Sequence, residues 1–186
     1  RTMRRRLAVA LIAGAGLAGW FWFLPAAPPG DLPATLASVT PFPRDLPQAG
    51  GLSGLEITAD GNSFFVVSDR GHIAKGNFAR NNGEISGISV TDLQILVDDQ
   101  GHADPASKGD AEGLALAEDG RIYVSFEQSH RVLFYETWSS PAEWPSYTLA
   151  WRAMSKNKGL EALAVDAAGT LYTIPEGINK GATQAL

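Results

Sequence analysis

Residues 110–128 read Asp-Ala-Glu-Gly-Leu-Ala-Leu-Ala-Glu-Asp-Gly-Arg-Ile-Tyr-Val-Ser-Phe-Glu-Gln. On both sides of the dipeptide Asp119-Gly120, apolar residues alternate with small or polar ones, a pattern typical of half-buried β-strands. An Asp-Gly dipeptide between two such runs favours a tight turn with positive φ angles. The stretch therefore predicts a β-hairpin whose strands are joined by two residues.

The same pattern occurs twice more along the chain. Comparable hairpins are predicted at residues 53–69 and 161–176, with their turns at Gly61 and Gly169. Aligned on these glycines and on Gly120, the units are 59 and 49 residues apart. A repeat of about 50 residues that contains strands alone is typical of a β-propeller. We therefore predict an all-β propeller domain.

The number of repeats predicts an incomplete ring. Further outer strands are predicted on both sides of an Asn82-Gly83 turn, so each hairpin belongs to a larger blade. Three blades are fewer than the four to eight that close a propeller. The expectation is a propeller domain at residues 35–186 that holds about three blades and is truncated at its C-terminus.

The first 27 residues are predicted to be a signal peptide or an N-terminal membrane anchor. Three arginines, Arg4 to Arg6, precede an apolar run at 7–24 that predicts a hydrophobic helix, and prolines and alanines follow it. Both interpretations place the domain in the periplasm or outside the cell, and the second leaves residues 7–24 in the inner membrane. Proline-rich residues 28–34 are interpreted as a linker, and residues 36–39 as an entry strand.

Composition excludes several classes of function. The net charge of -5 and the pI near 5.1 argue against a nucleic-acid partner, because no basic stripe lies beyond the N-terminal arginines. The absence of cysteine excludes disulfides, zinc-thiolate sites and thiol nucleophiles. No Gly-x-Ser-x-Gly motif supports a serine hydrolase, and the three isolated histidines do not form a zinc-binding pair.

Acidic residues recur at equivalent places in the repeats. Inner strands of successive blades line one channel, so these side chains are expected to converge. One column holds Ser53, Glu112 and Glu161, and a second holds Asp69, Glu127 and Glu176, with Asp69 offset by one position. Clustered carboxylates raise each other's pKa values unless a cation is present, and calcium takes six to eight oxygen ligands. Calcium is therefore the leading ligand, although strand capping and pairing with Arg or Lys remain an alternative.

Other charged residues are accounted for more simply. Asp60, Asp119 and Asp166 lie in or near the hairpin turns, where turn formation alone accounts for them. Five cations could hold an anionic substrate, and solvated surface charge is the alternative interpretation. These cations are Arg70, Lys75, Arg80, Lys156 and Lys158.

Three motifs, in order, resemble the phytase-like propeller family known as "esterase-like activity of phytase". They are GLSGLE with SDRG at 51–56 and 68–71, GDAEGL with FE at 109–114 and 126–127, and NKGLEAL with PEG at 157–163 and 175–177. The resemblance covers the N-terminal half of the family domain. It implies export, a six-bladed propeller and calcium-dependent phosphoester hydrolysis. It also implies metal ligands at the acidic positions of the motifs, namely Glu56, Asp69, Asp110, Glu112, Glu127, Glu161 and Glu176.

Three functions follow as hypotheses from the residues and the resemblance. The first is an exported calcium-dependent hydrolase that acts on a phosphorylated small molecule through metal-activated water, with no assigned catalytic side chain. The second is a non-catalytic binding propeller of the periplasm or cell envelope, and the third is an inactive fragment. The sequence leaves the oligomeric state open.

Overall fold

The computed structural model describes residues 36–44, 50–103, 110–144, 151 and 154–177. Apart from Leu36 and Ala37, these residues belong to the compact unit Ser38–Leu186. They form ten β-strands and no α-helix, and none of them builds a helix with the length and apolar character needed to cross a bilayer. The predicted signal peptide or anchor and the linker lie outside the described residues.

The strands form three antiparallel sheets, and in each sheet the spatial order follows the chain. Blade one contains β1 to β4, blade two contains β5 to β8, and β9 pairs with β10 in a third sheet. Four antiparallel strands joined in succession are the construction of a propeller blade. The prediction of an all-β propeller is therefore confirmed. The strand bounds are β1 Leu52–Ile57, β2 Ser63–Ser68, β3 His72–Asn81, β4 Glu84–Ile95, β5 Ala111–Leu116, β6 Ile122–Phe126, β7 Arg131–Tyr135, β8 Ala142–Glu143, β9 Leu160–Val165 and β10 Leu171–Pro175.

The turns between the first two strands of the sheets are longer than predicted. In blade two, the N–H of Ala117 donates to the carbonyl of Arg121 at 2.9 Å, and the N–H of Gly120 donates to the carbonyl of Ala117 at 2.9 Å. The loop is thus Glu118 to Gly120, with Gly120 at φ 91°. A type I turn followed by a left-handed residue is the usual three-residue hairpin loop. The prediction of a two-residue link was wrong, because the glycine forms the bulge after the turn.

Glycines in the inner strands let adjacent blades approach closely. Strand β5 lies between β1 and β9. A Cβ atom on Gly54 would lie 2.8 Å from the Cβ of Leu114, and one on Gly113 would lie 2.8 Å from the Cβ of Leu163. Separations below 3.0 Å are too short for carbon atoms, so both contacts require glycine. The contact between β1 and β5 and the contact between β5 and β9 are thus two equivalent joints between neighbouring sheets. In each joint the glycine meets a leucine of the next inner strand, and this leucine lies two residues after the glutamate of that strand.

Apolar side chains fill the spaces between the sheets. One buried cluster joins Val67 and Ile73 of blade one to Val124 and Phe126 of blade two. A second joins blade two to Leu160 and its neighbours in β9. Burial of β6 on both faces accounts for its short apolar run in the sequence.

One local prediction was wrong, and one short strand was not predicted. Residues 36–39, the predicted entry strand, form no strand, and Leu36 and Val39 are highly exposed. The proline-containing segment 138–145 has the sequence character of a loop, but Ala142 and Glu143 pair with β7 as the fourth strand of blade two. Neither segment has enough alternating apolar residues for the pattern to be informative.

Candidate metal centre

The strand register aligns the second acidic column without an offset. The residues that follow β2, β6 and β10 are Asp69, Glu127 and Glu176. The N–H of each donates to the carbonyl of the residue preceding the paired inner strand, at 2.8, 2.8 and 3.0 Å respectively. The apparent offset of Asp69 arises in the first hairpin loop, which contains one additional residue, Asn62. The three acids therefore occupy the same position in their sheets.

Five of the predicted site residues come together at this end of the inner strands. Carboxylate oxygens of Asp110, Glu112 and Glu127 lie within 4.8 Å of one another, and so do those of Glu127, Glu161 and Glu176. Glu127 belongs to both groups, which therefore form one continuous acidic centre across blade two and the third sheet. Such groups of carboxylates could bind a metal ion.

Glu127 is the most buried member of the centre, with 9% of its surface exposed. Its Oε1 accepts a hydrogen bond of 2.9 Å from the backbone N–H of Gly159, which immediately precedes β9. The side chain therefore extends from blade two to the third sheet. A backbone N–H donor fixes the position of the oxygen that accepts from it, so this bond orients Glu127 within the centre.

Mutual repulsion and burial act on the two glutamates of the inner strands. Burial raises the pKa of Glu112 to about 7, and the charges of Glu161, Asp110 and Glu127 add to this increase, while a hydrogen bond from Ser53 opposes it. Burial also raises the pKa of Glu161, with further contributions from Glu127, Glu176 and Asp110. The charged groups that raise these pKa values are all carboxylates. A cation bound at the centre would therefore stabilise the ionised forms of these carboxylates.

Glu56 and Asp69 belong to neither carboxylate group. Glu56 pairs with Phe65 next to the C-terminal end of β1, opposite to the strand end where the other acids lie, and burial raises its pKa. Asp69 has the right register, but its carboxylate lies against Gly51 of its own blade, at the place where a Cβ of Gly51 would be. Their assignment as metal ligands stays a prediction from the resemblance.

The remaining charged residues lie at separate places. In the hairpin turns, the carboxylates of Asp60, Asp119 and Asp166 accept hydrogen bonds from nearby backbone N–H groups, as turn chemistry predicts. The ammonium group of Lys75 lies 4.0 Å above the ring of Trp138, and Arg80 donates to carbonyls of two turns. These residues are therefore engaged in local structure.

The role of Gly159 was missed by the sequence reasoning. A Cβ atom at this position would overlap the Cγ of Glu127 and lie 2.9 Å from Nδ1 of His130. The signal that could have indicated it is the Asn-Lys-Gly-Leu-Glu motif, in which glycine occupies the position that Asp110 holds in blade two.

The three motifs, the two blades and the acidic centre all lie within the segment of the chain that a family model matches. The model described as "Phytase-like: Esterase-like activity of phytase" matches residues 47–185. The chain belongs to this family. No curated protein is recognisably similar to the phytase-like chain in sequence.

Solved structures share part of the fold at low sequence identity. They include virginiamycin B lyase from Staphylococcus aureus, at 12% identity over 69% of this chain with a TM-score of 0.41. A luciferin-regenerating enzyme matches at 13% identity over 72% of the chain with a TM-score of 0.45. A putative 6-phosphogluconolactonase from Bacteroides uniformis matches at 15% identity over 73% of the chain with a TM-score of 0.43. The phytase-like chain spans 36%, 41% and 39% of these proteins, respectively.

Proposed function

We propose that this chain contributes the acidic centre of an exported, calcium-dependent phosphoester hydrolase. The observation that carries the proposal is the position of Glu127, whose carboxylate is shared by two groups of acids. Membership of the phytase-like family supports the proposed reaction class.

The donor set fits a hard divalent cation. Calcium binds oxygen ligands at about 2.3–2.6 Å, so two oxygens bound to one ion lie at most about 5 Å apart. The spacing of up to 4.8 Å within each carboxylate group meets this condition. Ligands from the acidic centre would be Asp110, Glu112, Glu127, Glu161 and Glu176. Calcium is favoured over softer metals because all of these ligands are carboxylates.

The chain's own residues have separable roles in this proposal. A bound divalent cation would supply charge neutralisation for a phosphate group and activation of a water molecule. Glu127 orients the donor set, because one of its oxygens is already engaged by the N–H of Gly159. Glu112 and Glu161 have raised pKa values, so they hold protons more readily than ordinary glutamates and release them when a cation binds.

A cavity next to the acidic centre could take the organic group of the ester. Its volume is about 260 Å³, and its lining includes Gln128, which directly follows Glu127 in the chain. Arg131 and Lys156 also line it, together with Trp144, which is 51% exposed. Positive charge beside an aromatic surface favours a negatively charged group or a flat ring. A phosphorylated small molecule is therefore the proposed substrate class.

Export rests on the N-terminal sequence, where three arginines precede an apolar run at residues 7–24. The proposed location is the periplasm or the cell exterior, with residues 1–27 as a signal peptide or an anchor that contacts the inner membrane. Calcium is available to proteins outside the cytoplasm at concentrations that suit weak sites.

Release of p-nitrophenol from p-nitrophenyl phosphate and from bis-p-nitrophenyl phosphate tests the proposed reaction. The purified chain is assayed with calcium or with EGTA, alongside the variants Glu112→Gln and Glu84→Gln. Glu84 is the exposed first residue of β4 and provides the same change of charge away from the centre. We expect calcium-dependent release that persists in Glu84→Gln and is lost in Glu112→Gln.

Release that is independent of calcium, or that persists in Glu112→Gln, would overturn the proposed chemistry. Calcium binding without hydrolysis of either ester would instead assign the chain to the non-catalytic binding propellers.

A further inference from the structure

The joint between blade two and the third sheet differs from the joint between blades one and two at the acidic end. Glu127 extends from blade two and accepts the N–H of Gly159 at 2.9 Å. Asp69 has the same register in blade one, but the position opposite it in blade two is Asp110 in place of a glycine. Asp69 instead lies against Gly51 of its own blade. Among the described residues, Glu127 is therefore the acid at this register position that contacts the neighbouring sheet.

The space around Gly159 allows no side chain. A Cβ atom would overlap the Cγ of Glu127 and would lie 2.9 and 3.0 Å from Nδ1 and Cε1 of the His130 ring. The ring cannot easily move away, because its Nε2 is 3.0 Å from the carbonyl oxygen of Ser155. The N–H of Gln128 also donates to the carbonyl of Lys156 at 3.1 Å, so the loop after β6 is tied to the segment before β9 at several points.

We propose that Gly159 is a positioning residue for the bridging carboxylate. Its N–H holds Oε1 of Glu127, and its missing side chain leaves the space in which the Glu127 stem and the His130 ring pack. This inference deepens the proposed function and rests on it, because the acidic centre is the cation site that Glu127 would serve.

An alanine at this position must displace either Glu127 or His130. Displacement of Glu127 changes both carboxylate groups at once, since it is their shared member. Groups that orient a metal ligand through a hydrogen bond typically contribute about 10-fold to 100-fold to metal affinity. We therefore expect Gly159→Ala to weaken calcium binding by about that factor.

The test is isothermal titration of calcium chloride into the metal-free full chain, its Gly159→Ala variant and a matched Gly87→Ala control. Gly87 is half-buried in β4, and a Cβ there would make an ordinary contact of 3.5 Å with the Cβ of Ala79. Gly87→Ala is expected to bind calcium as the wild type does. Equal affinities of wild type and folded Gly159→Ala would overturn the inference while leaving the metal centre intact.

Nuclear magnetic resonance of the unsubstituted chain keeps the inference testable if Gly159→Ala does not fold. Calcium is expected to shift the amide resonance of Gly159, and to leave that of Gly87 unchanged, because the Gly159 N–H is bonded to a ligand carboxylate. A Gly159 resonance as insensitive as that of Gly87, in a chain that does bind calcium, contradicts the proposed role. If the wild-type chain binds no calcium in the titration, the proposed function and this inference are both wrong.

Discussion

Replacing Glu112 by glutamine should change the pH dependence of stability in a defined direction. In the metal-free folded chain, burial and neighbouring carboxylates raise the pKa of Glu112 from 4.5 to about 7. The unfolded chain releases this proton near the ordinary value. The stabilisation from the retained proton is fully present below pH 4.5 and is lost as the pH rises to about 7.

The size of the effect follows from the shift. At about 1.36 kcal/mol per pKa unit, the change from 4.5 to about 7 corresponds to a ceiling of ~3 kcal/mol. Glu112 is only half-buried, and solvent screens its repulsion from the other acids, so about 1–2 kcal/mol is expected. Because glutamine cannot ionise, Glu112→Gln should exceed the wild type in stability by this amount at pH 8 and should match it at pH 4.5.

Urea denaturation, followed by tryptophan fluorescence in metal-free buffer, measures both free energies of unfolding. Glu84→Gln serves as the control, since it removes an exposed charge far from the centre. Parallel pH profiles for wild type and Glu112→Gln would refute the electrostatic account of the centre. Excess calcium at pH 8 should reverse the order of stability, because it stabilises only a chain with its full set of ligands.

Three further predictions concern the scaffold, and denaturant unfolding checks each. The hydroxyl of the fully buried Ser125 accepts the N–H of Gly113 at 2.9 Å and donates to the carbonyl of Leu160 at 2.6 Å. Ser125→Ala should therefore lower the free energy of unfolding by about 2–4 kcal/mol, because both backbone groups lose their partner. A loss below about 0.5 kcal/mol would show that these two hydrogen bonds are unimportant for stability. Gly120→Ala should cost about 1–2 kcal/mol, because φ is 91° there, and an unchanged midpoint would contradict the turn assignment. Phe64 is 1% exposed and buried between aromatic rings, so Phe64→Ala should cost about 3–5 kcal/mol, whereas a small loss would mean that its neighbours collapse into the space.

The fold was predictable where local signals and the repeat agree. The turn glycines Gly61, Gly120 and Gly169 all have positive φ angles, as the turn pattern requires. Alternating apolar residues beside them predict the inner two strands of each unit. The two-residue strand Ala142–Glu143 was not predictable in this way, because so short a strand has no measurable period and depends on pairing with β7.

The residues of the acidic centre could be predicted from the sequence, but only part of their spatial arrangement could. Counting from the turn glycine makes Asp69 appear displaced by one residue, because the first loop contains the additional residue Asn62. Hydrogen-bond register, which the structure reveals, corrects this count. Glu56 belongs to a motif of the resemblance, but it lies at the hairpin-turn end of β1, and the resemblance to a motif does not specify which end of a strand a side chain occupies.

The contact between Glu127 and Gly159 could not have been derived from the sequence alone. These residues are 32 positions apart, and the bond between them depends on how one sheet packs against the next. Local secondary-structure propensity specifies neither the distance between residues of neighbouring sheets nor the direction of a side chain between them. A glycine that precedes a strand also commonly serves a turn, so the packing role of Gly159 could be recognised only in three dimensions.

The joints at Gly54 and Gly113 have a consequence for how such a protein can grow. Strand β5 carries both a glycine that receives the following strand, Gly113, and a leucine that packs on the glycine of the preceding strand, Leu114. Blade two therefore carries both parts of the same inter-blade contact. A gene segment copied in tandem would encode a unit that already matches its neighbours on both sides, so duplication can lengthen the array without new interface mutations.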